Sequence, residues 1–581
     1  MHSSAGMNLV NGLVRLSSLT ASDGTVADFA AARIVVVVGP NNSGKTQLLR
    51  EISTELVNAD RHIVTDAIVY EFADVGESAL IEWLERERPN RILRGSRHFR
   101  VNRGGNEISE TELTRSWSKR ERHMGALGQA LHSAHMIEQR LEAVSEAERM
   151  DFGVEAASDP VQRLVEDESM FNLADAAVQS AFGRALTLHP FGRRYILKLS
   201  EDPIDLSTVR YSRIGMPNAE DRALLDSLPA ISGQGHGLRA FVNLLLGVIS
   251  YRSPILLIDE PEAFLHPPQA LVMGRLLANL EFCGGQLIVA THSGPVLEGI
   301  LSAAPNDVVV VRLTRDKGGN HMKMLGVEQL SELWGDPLLK ESRALDGLFH
   351  EGVVVCEGPT DAQFYRSVSE GAAPVLEPSR SGKHPDLLFT SAGGKSAMHR
   401  LARALNALGV PVRVISDFDL LQNQDELKNV VEALGGNLSS DLVRDRAEVD
   451  AAVRGSEKVP QAKALLRKLG AILDKTPGDV SRAQLAALRA ALEPSAGWRS
   501  AKHHGVAALK GSAHKAAQRV VGTLTTMGLF LVPNGTAESF VRGAAGESGQ
   551  WLANVWSSRE HLNPDSDHGR FVGEVIDSFG R

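Results

Sequence analysis

At 581 residues, with 43% apolar and 23% charged side chains, the chain is long enough for two or more domains with normal cores, and its composition excludes wholesale disorder. A net charge of −9 excludes a global cationic field, so any nucleic-acid contact has to come from local basic surface. Two cysteines, Cys283 and Cys356, exclude a disulfide framework, and neither an apolar run approaching about 18 residues nor a basic-then-apolar opening is present, which predicts a cytoplasmic protein without membrane contact.

In chain order, a β-rich opening leads to Ile34-Val-Val-Val-Val38, a short continuous apolar run of the kind that forms a parallel strand covered on both faces. Directly after it, Gly39-Pro-Asn-Asn-Ser-Gly-Lys-Thr46 matches G-x-x-x-x-G-K-[ST]. In such a loop Gly39, Asn42 and Gly44 let backbone N–H groups wrap phosphates, Lys45 reaches the terminal phosphates and Thr46 ligates Mg²⁺. From about 77 to 188 the sequence is charged and helix-prone, Arg120 to Arg149 most clearly, and predicts a helical insertion, with a coiled coil or arm as the sharper alternative. Arginines recur about every third residue from Arg86 to Arg103; on a helix they would form a cationic face, although Pro89 and Gly95-Ser96 favour a solvated surface.

A second buried-type strand, Ile255-Leu-Leu-Ile258, ends in Asp259 and Glu260, where a Mg²⁺-organising aspartate and a water-orienting glutamate belong. The next, Leu287-Ile-Val-Ala290, is followed by Thr-His292-Ser, which offers His292 as a γ-phosphate sensor. Asp316 to Asn320 reads as a hairpin turn. These residues, and the run Asp259-Glu-Pro-Glu-Ala-Phe-Leu-His-Pro267 above all, resemble ABC-type ATPases of the SMC-like and OLD-type branch. That resemblance implies ATP as ligand and a signature segment that meets the nucleotide of a second subunit. Ser232 and Gly233, in Ile231-Ser-Gly-Gln-Gly-His-Gly237, are the choice for it, in an ambiguous register that departs from the usual Ser-Gly-Gly-Gln/Glu.

The segment 331–349 predicts a linker helix, and a second α/β unit begins at Val353. Val353-Val-Val-Cys-Glu357-Gly-Pro-Thr-Asp361 places one carboxylate at a strand end and another four residues on; Phe389-Thr-Ser-Ala-Gly-Gly-Lys395 supplies a Gly-Gly turn; Val412-Arg-Val-Ile-Ser-Asp417-Phe-Asp419 ends a third strand on two aspartates. Four carboxylates at close quarters repel one another unless a cation neutralises them, so the pattern points to Mg²⁺ or Mn²⁺ at Asp417, Asp419 and Glu357 or Asp361. Helix-prone sequence from about 425 to 496 interrupts the unit, which resumes at the strand Gly528-Leu-Phe-Leu-Val-Pro533, and residues 546–581 predict a helical tail.

Over roughly 350–545 this pattern resembles the TOPRIM fold, and downstream of it the OLD-family nucleases. The family adds a lysine, for which Lys502 is the choice and Lys510 and Lys515 the alternatives, to stabilise charge on the phosphate. It also adds Gly-Glu-x-Glu, matched here by Gly535-Thr-Ala-Glu538 with Thr536 in place of one carboxylate, which leaves Glu538's part in metal binding open.

The expected class is therefore α/β throughout: an ABC-type ATPase domain (1–330, with its insertion) joined to a TOPRIM domain (350–545, with its own). The expected function is an ATP-dependent or ATP-regulated DNA endonuclease or nickase. It would carry Glu357, Asp417, Asp419, Lys502 and Glu260 as catalytic residues and assemble as a homodimer or higher oligomer. Family analogy adds anti-phage defence and a helicase partner of the Gabija type. The rivals are an ATP-driven DNA repair or recombination factor whose TOPRIM unit binds metal and DNA without cutting, and an ATP sensor that signals through partner proteins.

Overall fold

The computed structural model describes residues 12–580 outside 30–31, 89, 94, 102–105, 121, 141–145, 152–156, 158, 190–191, 205–217, 280–284, 317, 327–343, 373–384, 457–461, 474–479, 482–483, 486, 489–496, 542 and 545–547. The chain divides into two compact units, Met1–Glu332 and Leu333–Arg581.

The first unit is built on a six-stranded sheet ordered Gly319–Leu325, Val308–Asp316, Ile34–Val38, Gln286–Ala290, Ile255–Asp259, His132–His135. All pairs are parallel except the hairpin of the first two strands. The β-branched run at 34–38 and the strands at 255–259 and 286–290 are buried along their whole length, as central parallel strands require. Register carries the site: Ala290 pairs with Val37 on one side and Asp259 on the other, so the phosphate-type loop and the two acids leave the same edge of the sheet. An antiparallel sheet of Val26–Asp28, Val14–Ala21 and Thr65–Phe72 packs its apolar residues into the same core.

The stretch 77–188 is not a purely helical insertion. It holds a three-stranded sheet, Asn90–Leu93, Ser96–Arg100 and Glu107–Ser109, and its strand His132–His135 completes the central sheet. Among the described residues of 120–149 the expected helix is reduced to Gly125–Leu131 and a 3₁₀ turn at Ile137–Gln139. No coiled-coil arm is present among the described residues of this stretch; its longest helix, Glu168–Phe182, has 15 residues and sets Phe182 edge-on to Phe241 at 5.2 Å. The arginine series does not share one helical face: Arg86 ends the helix Glu77–Glu87, Arg91, Arg97 and Arg100 lie on strands, and Arg94 and Arg103 lie outside the described residues. Arg97 meets Glu85 and Glu110, Arg100 lies 3.5 Å from Glu107, and Arg88 is buried on the Ala130 carbonyl and Ser253. Cys283 and the expected linker helix up to residue 343 lie outside the described residues; Ala344–Phe349 is a 3₁₀ turn, and Cys356 is buried in the core.

The second unit has a four-stranded parallel sheet ordered Leu387–Ser391, Gly352–Cys356, Val412–Ser416, Leu529–Leu531. The chain runs from its second position to one edge and then returns to the other side. Strand order therefore reverses beside Gly352–Cys356, the kind of crevice where open α/β sheets place ligands beyond their carboxyl ends. Helices Pro359–Ala372 and Lys395–Ala407 follow the first two strands; Gln424–Ala433, Ser440–Gly455 and Ala462–Leu473 fill the expected helical insertion. Within the expected helical tail, the helices Ser548–Ser558 and Asp567–Asp577 form and also supply core. Apolar residues at helical spacing, Trp551, Leu552 and Val555, then Phe571, Val572 and Val575, are buried with Val354, Phe364 and Phe530.

Candidate functional sites

In the first unit the loop after Ile34–Val38 turns through left-handed backbone at Gly39 (φ 149°), Asn42 (61°) and Gly44 (100°) before the helix Lys45–Glu55. Gly39 also has no room for a side chain, since a Cβ there would collide with the Leu313 carbonyl. Lys45 is buried inside the loop, donating to the carbonyls of Gly39 and Pro40 at 2.8 Å each. Burial pushes its ammonium down to about 8, against the pull of Glu260 and Asp259. Thr46 Oγ1 lies 3.3 Å from Asp259 Oδ1. The other Asp259 oxygen, Oδ2, is buried without a hydrogen bond, and burial first, then Glu260, holds this carboxyl above its ordinary range. A buried, unpaired oxygen beside a threonine hydroxyl fits a divalent ion.

Glu260 stands in left-handed backbone (φ 46°), and His292 Nε2 lies 3.7 Å from its Oε1. Burial, with Lys45 adding to it, pushes His292 down to about 4, so it is neutral at pH 7. Four further residues frame the site. Half-buried Glu262 accepts from the His292 N–H at 2.7 Å and the Thr291 hydroxyl at 2.8 Å, fixing the turn that presents His292. Asn320, on the hairpin strand, donates to the Ser43 carbonyl at 2.7 Å. Buried Arg140 donates to the carbonyls of both Asp259 and Glu260, and Asn243, on the helix His236–Ser250, donates to the Arg140 carbonyl at 2.7 Å. The sequence quotes Glu262 without a role, and Arg140 and Asn243 carry no motif. The signature candidates Ser232 and Gly233 lie on an exposed 3₁₀ turn before that helix, with the Ser232 hydroxyl 3.3 Å from Glu146.

In the second unit Glu357, Asp417 and Asp419 offer carboxylate oxygens that all lie within 4.8 Å of one another. Strand register explains this: Cys356 pairs with Ile415, so residues just past both strand ends converge. Burial, followed by Glu357, Asp361 and Asp419, pushes Asp417 up to about 8. Glu357 is also raised by burial, with Lys395 opposing, and its Oε2 is buried without a hydrogen bond. A compact acidic trio with an orphaned oxygen and a carboxyl held near neutrality has the donor chemistry of a Mg²⁺ or Mn²⁺ site.

Asp361 lies outside the trio; its Oδ2 accepts from the Gly358 N–H at 2.9 Å. Burial raises it, and Glu538 adds to the rise. Lys502 Nζ lies 3.6 Å from Asp417 and 3.5 Å from Asp419. Those acids outweigh burial and hold its ammonium above its ordinary value. Lys510 and Lys515 are exposed, at and within the helix Gly511–Thr526.

Local packing aims Lys502. Its helix, Trp498–His504, is anchored by Trp498, whose ring sits 6.5 Å from that of Phe418 and whose N–H donates to Asp450. The Gly535 loop, after the strand Leu529–Leu531, closes against it: a Cβ at Gly535 (φ 108°) would collide with the Lys502 carbonyl, while the Gly535 carbonyl accepts from the Phe418 N–H at 2.9 Å. Thr536, the departure from Gly-Glu-x-Glu, is buried and meets the Ser539 hydroxyl. Lys395, quoted in the sequence only as the end of a Gly-Gly turn, contacts Asp419 and lies 3.8 Å from Glu357.

Among the described residues no helix is long and apolar enough to cross a membrane. Residues 34–297 match the model of an AAA domain family whose description also names the AbiEii toxin of a Type IV TA system. Residues 348–419 match the TOPRIM domain of proteins like the overcoming lysogenization defect protein. The Old nuclease of Escherichia phage P2 is 26% identical over 235 residues; the alignment spans 37% of this chain and only 38% of that protein's length. Among solved structures, an SmcHead bound to the C-winged helix domain of ScpA aligns with 54% of this chain and 98% of its own, at 13% identity and a TM-score of 0.32. The SMC head domain from Thermotoga maritima aligns with 54% and 99%, at 14% identity and a TM-score of 0.27. The chain thus joins an AAA-type ATPase domain to an OLD-like TOPRIM domain and over 235 residues is similar to the Old nuclease.

Proposed function

We propose that the protein is an ATP-regulated, divalent-metal-dependent DNA endonuclease or nickase. The observation that carries this reading is the convergence of Glu357, Asp417 and Asp419 with Lys502 beyond the carboxyl ends of the inner strands of a TOPRIM sheet. The acidic trio would hold the metal, with Asp361 and Glu538 beside it. When bound, a divalent ion supplies Lewis acidity and an acidic water at neutral pH. Lys502 places a positive charge where negative charge grows on the phosphate. Water attacks phosphorus, the bond to one ester oxygen breaks, and that oxygen takes a proton, leaving a phosphate end and a hydroxyl end.

In the first unit Lys45 would exchange its loop carbonyls for the terminal phosphates, and Thr46 and Asp259 would hold Mg²⁺. Glu260 would orient the attacking water, and neutral His292 would donate to the γ-phosphate. Exposed Ser232 and Gly233 suit contact with a second copy's nucleotide, making the working form a homodimer or larger. A role in anti-phage defence, alone or with a helicase partner, extends the same reading.

Supercoiled plasmid incubated with Mg²⁺ or Mn²⁺ under three conditions (no nucleotide, ATP, a non-hydrolysable analogue) tests both halves. Metal-dependent nicking whose rate differs between the nucleotide conditions is expected. Absence of cutting under all of them would favour the non-cutting repair factor or the ATP sensor.

A further inference from the structure

Lys395 is the first residue of the helix Lys395–Ala407, a position where a cation opposes the helix dipole. Its root is nonetheless held firmly. Gly393 and Gly394 take left-handed backbone (φ 77° and 135°), the Gly394 N–H donates to the Glu357 carbonyl at 2.9 Å, and the Gly393 N–H donates to the Ser391 hydroxyl at 3.1 Å. The turn is thereby fixed to the backbone of the very glutamate whose side chain the lysine faces. Its ammonium contacts Asp419 Oδ1 and lies 3.8 Å from Glu357 Oε2, bridging carboxylates from two strands, while Lys502 faces Asp417 and the other oxygen of Asp419. Glu357 and Asp419 are two of the three side chains that would share an ion.

We propose that Lys395 is the resident counter-cation of this site: it holds Glu357 and Asp419 together in place of a divalent ion and has to leave them when the ion enters. An Mg²⁺ ion needs carboxylate oxygens at about 2.0–2.1 Å, which leaves no room for an ammonium on the same oxygens. Lys395 thus sets the metal concentration at which the site fills. Lys502, about as close to the trio, meets Asp417 Oδ2 and Asp419 Oδ2 and neither of the two oxygens that Lys395 bridges. The proposal rests on the metal-dependent reading above.

Mn²⁺ binding to the full chain without nucleotide, followed by the EPR signal of free Mn²⁺, tests it; Asp417→Asn identifies the component belonging to this site. Removing any nearby positive charge tightens cation binding somewhat, so Lys502→Met measures that general effect. Lys395→Met is expected to bind Mn²⁺ at least about 10-fold tighter than wild type and clearly tighter than Lys502→Met. Lys395→Arg, which keeps the charge and spans two carboxylates, is expected to bind several-fold more weakly than wild type. A gain in Lys395→Met no larger than in Lys502→Met, or unchanged binding in Lys395→Arg, overturns the role of Lys395 alone. Absence of Asp417-dependent binding in every protein overturns both this role and the metal site itself.

Discussion

In the first unit a buried lysine sits among carbonyl oxygens; in the second a buried aspartate sits among carboxylates. Burial disfavours the charged form of each, bringing Lys45 down and Asp417 up to the same value, about 8. The remedies differ in sign. The loop around Lys45 already wraps the lysine with its own carbonyls, and a polyphosphate would replace them. The trio around Asp417 is only partly neutralised by Lys395 and Lys502, and a divalent cation would complete the balance. One chain therefore holds two buried charges that await ligands of opposite sign, and this contrast can be broken at either end.

The largest effects belong to residues that meet the ligand. Lys45→Ala should abolish ATP hydrolysis, measured by phosphate release, while leaving Mn²⁺ binding by the second unit intact. Lys502→Ala should lower the cutting rate by about 10²–10³-fold while metal affinity stays the same or rises somewhat, separating charge stabilisation from metal holding. Arg140→Met leaves the carbonyls of Asp259 and Glu260 without their buried donor, so the hydrolysis rate should fall by about 10–100-fold while fluorescent-ATP affinity changes little. Gly535→Ala forces a Cβ into the Lys502 carbonyl in left-handed backbone; a loss of about 1–3 kcal/mol in chemical denaturation is expected, along with slower cutting.

The smallest effect is a pH dependence. Asp417 keeps in the folded state a proton that the unfolded chain releases near pH 4. Without metal, its contribution to stability therefore falls as pH rises from about 4 to about 8, and is constant outside that window. Metal binds the deprotonated form, so Mn²⁺ affinity should climb from pH 6 to about 8 and then level, with up to one proton released per ion on this account. Flat affinity across that range would remove Asp417 from the ligand set.

The features legible in the sequence are local ones. A strand of four valines before Gly39, and acids directly after apolar runs at Asp259, Glu357 and Asp417, announce their positions because strand and site are contiguous. Lys502 is harder to read, since it reaches the acids through Trp498 on Phe418 and through the Gly535 turn, contacts made across 80 and 33 residues of chain. The 77–188 stretch misled for a different reason: His132-Ser-Ala-His135 is a short edge strand with mixed exposure and no apolar run, set directly after a helix. Arg140, five residues past its last paired residue, is hidden with it. Lys395 was visible after its glycines, but only the fold shows that the turn is fixed to Glu357.

The most direct test of the central claim is the nicking rate of supercoiled plasmid in saturating Mn²⁺ by wild type and by Asp417→Asn, with circular dichroism confirming that both are folded. The account predicts cutting by the wild type and a loss on the order of 10³-fold in the variant, the loss expected when the metal site is disabled. Equal cutting by the two proteins would contradict it.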